Sequence, residues 1–177
     1  MNVPHKCTVS PGPICVAPEP QLAALLNHAG FCGLVVQAPP QIAGLTTLQI
    51  EIDAGGTTVA QIPAVVAATA PALFADTSGH ALANNEDGTV NSQANPVSRG
   101  STIVLYGTGE GIAGLPVSVS IGNNPAQVSY AGPVAGYPGL LQVNATVPAG
   151  YVVPGNLPVI ITVGPAQSQA GVAIAVN

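Results

Sequence analysis

Val117-Ser118-Val119-Ser120-Ile121-Gly122-Asn123-Asn124-Pro125-Ala126-Gln127-Val128-Ser129-Tyr130 is the stretch that decides the fold. Val117, Val119 and Ile121 alternate with two serines, Gly122 to Pro125 carries turn residues, and Gln127 to Tyr130 returns. Successive side chains of a strand point to opposite faces, so this pattern predicts a hairpin with one apolar face. Downstream, Leu141, Val143, Ala145 and Val147 alternate with Gln142, Asn144 and Thr146 until Pro148-Ala149-Gly150 closes the run. Val159, Ile161 and Val163 follow Pro154-Gly155, and Val172, Ile174 and Val176 make a last strand. Upstream, Ser101 to Tyr106 supplies a first one. About six short strands with turn chemistry between them predict an all-β, immunoglobulin-like Greek-key sandwich. Val119, Ile121, Val143, Val159, Ile161 and Ile174 are expected to face its core. Helical periodicity occurs only around Gln21 to Leu26, with no capping residue directly before it.

Composition narrows the function classes. The 177 residues include two cations, Lys6 and Arg99, against seven anions, for a net charge of −5. Binding a nucleic acid requires several Lys or Arg on one face, so that class is excluded. With 21 Gly, 18 Pro and few Glu, Lys or Arg, a helical bundle is excluded as well. An apolar fraction of 47% argues against disorder. The longest apolar stretch, Val59 to Phe74, is interrupted by Gln61, Pro63 and Pro71 and falls short of the roughly 20 residues that span a bilayer. Met1 to Cys15 has no apolar core of a signal peptide, whereas the rest of the chain has an extracellular composition, rich in Ser, Thr, Gly and Pro. Cys7, Cys15 and Cys32 fit either one local disulfide with a spare thiol or buried thiols, and with His5 and His28 they match no zinc spacing.

The chain repeats itself. Ala29-Gly30-Phe31-Cys32-Gly33-Leu34 parallels Ala135-Gly136-Tyr137-Pro138-Gly139-Leu140 at an offset of 106 residues, and Gln21 faces Gln127 at the same offset. Leu48 to Ile52 parallels Leu157 to Ile161. The strands equivalent to Ser101–Tyr106 and Pro116–Ile121 have no counterpart before Val16, so the first copy is incomplete. The expected organisation is therefore an unrelated N-terminal segment at 1–15, an incomplete module at 16–67, a connector at 68–98 and a complete module at 99–177. An incomplete sandwich exposes a core face and a strand edge, which residues 1–15, the connector or a second chain must cover. Residues 1–15, rich in Pro, are expected to be poor central strands, which points to a homodimer through the N-terminal module.

A family resemblance rests on motifs that follow in order. Ala70-Pro71-Ala72-Leu73-Phe74, Asn85-Glu86-Asp87-Gly88-Thr89-Val90-Asn91, Arg99-Gly100-Ser101, Tyr106-Gly107-Thr108-Gly109-Glu110-Gly111 and Gly139-Leu140-Leu141-Gln142-Val143-Asn144 are among them. Over roughly residues 34–177 the chain resembles the Ig-like, IPT/TIG-type C-terminal domain of uncharacterised acidobacterial extracellular proteins. The resemblance implies a non-catalytic module of a secreted or surface protein. It carries over no catalytic residue.

The candidate chemistry lies in loops. Gly109-Glu110-Gly111-Ile112-Ala113-Gly114 fits a dinucleotide-binding glycine pattern, but a strand follows it where a helix N-terminus is needed. Between Asp76 and Asn95 lie Asp76, His80, Asn84, Asn85, Glu86, Asp87, Asn91 and Asn95, an oxygen-rich segment without EF-hand spacing. Asn85-Glu86-Asp87-Gly88 reads more simply as a turn, with Asx side chains bonding their own backbone. Asp76, Ser78 and His80 supply the residue types of a triad, yet three groups on one turn rarely converge. The rival to a binding module is thus a small glycoside hydrolase, with Glu110 and one of Asp76, Glu86 or Asp87 as its carboxylate pair. Tyr106, Tyr130, Tyr137 and Tyr151 are the available sugar platforms. Neither reading calls for a cofactor or a metal. A non-catalytic role in adhesion, spacing or ligand presentation, with carbohydrate or a cell-surface ligand as partner, accounts for the pattern best. Arg99 is expected to tie the connector to the sandwich through Glu86, Asp87 or backbone carbonyls.

Overall fold

The computed structural model describes residues 5–10, 38, 40–54, 57–111, 114–150 and 153–177. The Gln21–Leu26 segment, Cys15, Cys32, His28, Tyr151 and the repeat partners at 29–34 lie outside them. The chain divides into two compact units, Met1–Ala68 and Thr69–Asn177.

In the first unit, β1 (His5–Ser10), β2 (Thr47–Ala54) and β3 (Thr57–Val65) form an antiparallel sheet in that spatial order. Leu48, Ile50 and Ile52 stand opposite Ala64, Ile62 and Ala60, so one face is apolar; Glu51 stands opposite Gln61 on the other and accepts its amide hydrogen bond. Residues 5–10 join this sheet as its edge strand. Prolines at 4, 11 and 13 flank the strand and leave it uninterrupted. Lys6-Cys7-Thr8-Val9-Ser10 does alternate, with Cys7 and Val9 opposite Ile52 and Ile50. As an edge strand it needs only one ladder of hydrogen bonds.

The second unit is an antiparallel β-sandwich. Its strands are β4 (Ala72–Leu73), β5 (Ala83–Asn85), β6 (Thr102–Thr108), β7 (Val117–Ile121), β8 (Asn124–Val134), β9 (Tyr137–Thr146), β10 (Gly155–Val163), β11 (Ala166–Gln167) and β12 (Ala173–Val176). The order is β11-β10-β7-β8-β9-β6-β4, with β12 also on β10 and β5 also on β6. The β7–β8 turn is only two residues long: Ile121 pairs with Asn124, and Gly122 and Asn123 both take positive φ, at 59° and 64°. That is the primed geometry matching strand twist. β8 then changes partner, pairing through Ala126 with β7 and from Gln127 onward with β9, and so joins the two sheets.

All six residues expected in the core are buried, none more than 3% exposed. Ile103, Leu105, Leu141, Val147 and Val163 are buried with them. Each large aliphatic side chain removed from water contributes about 1.5–3 kcal/mol.

The segment read as a connector belongs to this sandwich. β4 and β5 pair in turn with β6, and Leu73, Ala81, Ala83 and Val97 are buried with the core. Strands of two and three residues are too short to show a period of two, which is why the sequence pattern passed over them. The same segment closes the far edge. The Ala81 N–H donates to the Ala173 carbonyl (2.8 Å), the Ala173 N–H to Gly79 (2.9 Å), and the Val97 N–H to Ala175 (3.0 Å). β12 therefore has backbone partners on both sides, which leaves it no open edge to template aggregation.

Candidate functional site

Asp76 sits in the turn between β4 and β5. Its Oδ1 accepts hydrogen bonds from the Ser78 hydroxyl (2.6 Å), the Ser78 N–H (2.8 Å) and the His80 N–H (2.9 Å). The Ser78 hydroxyl, followed by the His80 N–H, holds this carboxyl below the ordinary aspartate range. Asp87 repeats the arrangement one turn later: its Oδ1 accepts from the Thr89 hydroxyl (2.6 Å) and N–H (3.0 Å), and the hydroxyl is the main cause of its lowered pKa. Both carboxylates are exposed and both shape their own turns.

The triad residue types do not converge. The Ser78 hydroxyl donates to Asp76 and not to His80. The His80 Nε2 lies 3.0 Å from the Asn91 carbonyl, and because a carbonyl only accepts, this nitrogen carries the proton.

The proposed carboxylate pairs are separated by the length of a strand. Asn85 stands opposite Ile103, and Glu86 Oε2 accepts the Thr102 N–H (3.2 Å), so Glu86 and Asp87 lie at the start of β6. Glu110 follows the opposite end of β6, past Thr108. Seven strand residues at roughly 3.3 Å each place them about 20 Å apart, well outside the roughly 9.5 Å reach of an inverting pair. Asp76 extends beyond Phe74, which bonds to Tyr106, and so runs away from Glu110 as well. Glu110 therefore meets none of the three acids, Asp76, Glu86 and Asp87, that the hydrolase reading paired with it. Among the described residues no group of three His, Cys, Asp or Glu is placed to hold a metal ion.

The glycine motif is a structural junction. Gly109, Gly111 and Gly114 all take positive φ. The Gly109 carbonyl accepts from the Ala70 N–H (2.9 Å) and the Thr69 hydroxyl (3.0 Å), which anchors the first residues of the sandwich onto the end of β6.

Sequence reading missed the most deeply built polar feature. Asn91 is 1% exposed. Its Nδ2 donates to the Ala175 carbonyl (2.9 Å) and to Asn85 Oδ1 (3.0 Å), while its Oδ1 accepts the Ala175 N–H (2.9 Å). One side-chain amide thus bonds both backbone groups of a β12 residue as a neighbouring strand would. Gln169 does the same for β4, accepting the Leu73 N–H (3.0 Å) and donating to the Leu73 carbonyl (2.6 Å). No local pattern announces such amides, because their partners lie 84 and 96 residues away.

Of the candidate platforms, Tyr130 (β8) and Tyr106 (β6) share the outward face of one sheet, whereas Tyr137 stands 65% exposed at the β8–β9 turn. Phe74 and Leu82 stand opposite Tyr106 on that same face, and both are exposed.

No protein-family model matches the chain. No curated protein matches it. Among solved structures it is similar to the Bacteroides ovatus mixed-linkage glucan utilization locus protein SGBP-B, in complex with a mixed-linkage heptasaccharide. The two are 16% identical with a TM-score of 0.35, and the match covers 99% of this chain and 37% of that one. No helix among the described residues is long and apolar enough to cross a membrane.

Proposed function

We propose that the chain is a non-catalytic, immunoglobulin-like module of a secreted or surface protein, of the acidobacterial extracellular type it resembles, and that it presents a face to carbohydrate or another cell-surface ligand. The observation that carries this reading is the commitment of the polar loop residues to architecture. Asp76, Asp87, Asn85 and Asn91 satisfy backbone or one another, and Glu110 stands about a strand's length from the acids it would need. A chromogenic glycoside and ester panel tests it: no turnover is expected above the buffer blank. Turnover abolished by Glu110→Gln would establish the hydrolase instead.

Pairing with a second copy through the first unit is part of the proposal. Leu48, Ile50, Ile52 and Ile62 share one face of its sheet, and Ile62 is 48% exposed. Light scattering at micromolar concentration is expected to return a dimer mass; a monomer throughout that range would remove this element.

A further inference from the structure

The outward face of β8, β9 and β6 carries Tyr130, Tyr106, Gln142 and Asn144 and no charged side chain at its strand positions. Tyr130 does not project away from it. Its hydroxyl donates to the Pro133 carbonyl (3.1 Å), and a Cβ placed on Gly132 would come to 3.0 Å from the Tyr130 hydroxyl oxygen and 3.3 Å from its Cζ. The ring therefore lies along the strand over Gly132, where a Cβ would crowd its hydroxyl end, and it remains 43% exposed. Gly132 stands opposite Gln142, and Gln142 opposite Tyr106. Read across the strands, one row holds the Tyr130 ring, Gln142, Tyr106 and then Phe74. Gln142 Nε2 donates to Asn144 Oδ1 (2.9 Å), which orients both amides beside the Tyr130 ring.

We propose that this row binds a neutral, extended, β-linked glycan lying across the strands. Tyr130 and Tyr106 stack on alternate sugars, and Gln142 and Asn144 bond the hydroxyls between them. The inference rests on the reading of the chain as a ligand-presenting module and assigns that module its site. Two strand spacings set the rings about 10 Å apart. An equatorially linked chain repeats its orientation every second sugar, so it offers a C–H face to each ring in turn. Aromatic faces accept such apolar patches while amides supply both donors and acceptors. Charge makes the choice between glycan classes. The strand positions of this face carry no ionisable side chain other than tyrosine, and a net charge of −5 repels a polyuronate.

Affinity electrophoresis of the full chain decides the matter, using gels that contain hydroxyethylcellulose, galactomannan, pullulan or polygalacturonate. Retardation is expected in at least one of the two neutral β-linked polymers, and in neither pullulan nor polygalacturonate. Tyr130→Ala and Tyr106→Ala are each expected to weaken binding tenfold or more while the chain still unfolds in one cooperative transition above the assay temperature. Gly132→Ala, which keeps both rings but displaces one, is expected to weaken it too. Retardation by neither β-linked polymer, equal retardation by pullulan or polygalacturonate, or wild-type affinity in the tyrosine variants would each overturn the site. Cleavage of a polymer is read separately, as reducing ends; it would refute the non-catalytic reading, while retardation alone judges the site.

Discussion

Asn91→Ala is expected to destabilise the sandwich by about 3 kcal/mol, read as a lower urea midpoint at unchanged slope. The substitution leaves the Ala175 N–H and Asn85 Oδ1 without the partners they have in the folded state, in a site that is 1% exposed. A buried polar group that loses its partner costs about 1–3 kcal/mol, and the cavity adds to it. Asn91→Asp is the sharper control. The shape is kept, but the two hydrogens given to Ala175 and Asn85 are lost and a charge is buried without compensation, so it should be at least as damaging as alanine. A midpoint for Asn91→Asp equal to wild type would mean that this amide does not hold β12 in place.

Gly109→Ala is expected to cost about 3 kcal/mol or more. Two effects add at this position. At φ 79° an L side chain is strained by about 1–2 kcal/mol. The new Cβ would also sit 1.9 Å from the Ala70 carbonyl oxygen and 2.6 Å from its carbon, both backbone atoms that cannot swing aside. To relieve the clash, the segment that feeds β4 must lift off β6, with loss of the Thr69 and Ala70 hydrogen bonds to Gly109. Gly114→Ala separates the two effects. Its φ is 89° and nothing lies within 4 Å of its Cβ, so only the conformational cost of about 1–2 kcal/mol should appear. Equal midpoints for the two variants would remove the close approach as the reason for Gly109.

The contrast between these positions explains what the sequence reveals and what it conceals. Val119, Ile121, Val143, Val159, Ile161 and Ile174 were legible because burial on one face of a long strand writes a period of two, and each of them is buried. β4 and β5 were not legible, since two or three residues cannot establish a period, and their pairing with β6 is a tertiary event. β1 was hidden by the prolines around it, although the alternation inside it is present. The turn at Asn85–Gly88 was the simpler reading of its segment, and the local hydrogen bonds give the same device at Asp76, where no turn was read: a short acid two residues before a hydroxyl closes its own turn. The carboxylate pair failed for a geometric reason. Acids near in sequence to a strand's start and to its end belong to opposite ends of the sandwich, and residue counting in turns does not see the strand between them. Nor could the sequence place Tyr130 over Gly132, because the fit depends on a bulge at Ser129 that sets Tyr130 opposite Asn144.

The claim that this sandwich binds without catalysing is tested most directly by the glycoside and ester panel, run on the wild-type chain and on Glu110→Gln side by side. Neither protein is expected to turn over any substrate above the buffer blank. Turnover by the wild type that disappears in Glu110→Gln would contradict it.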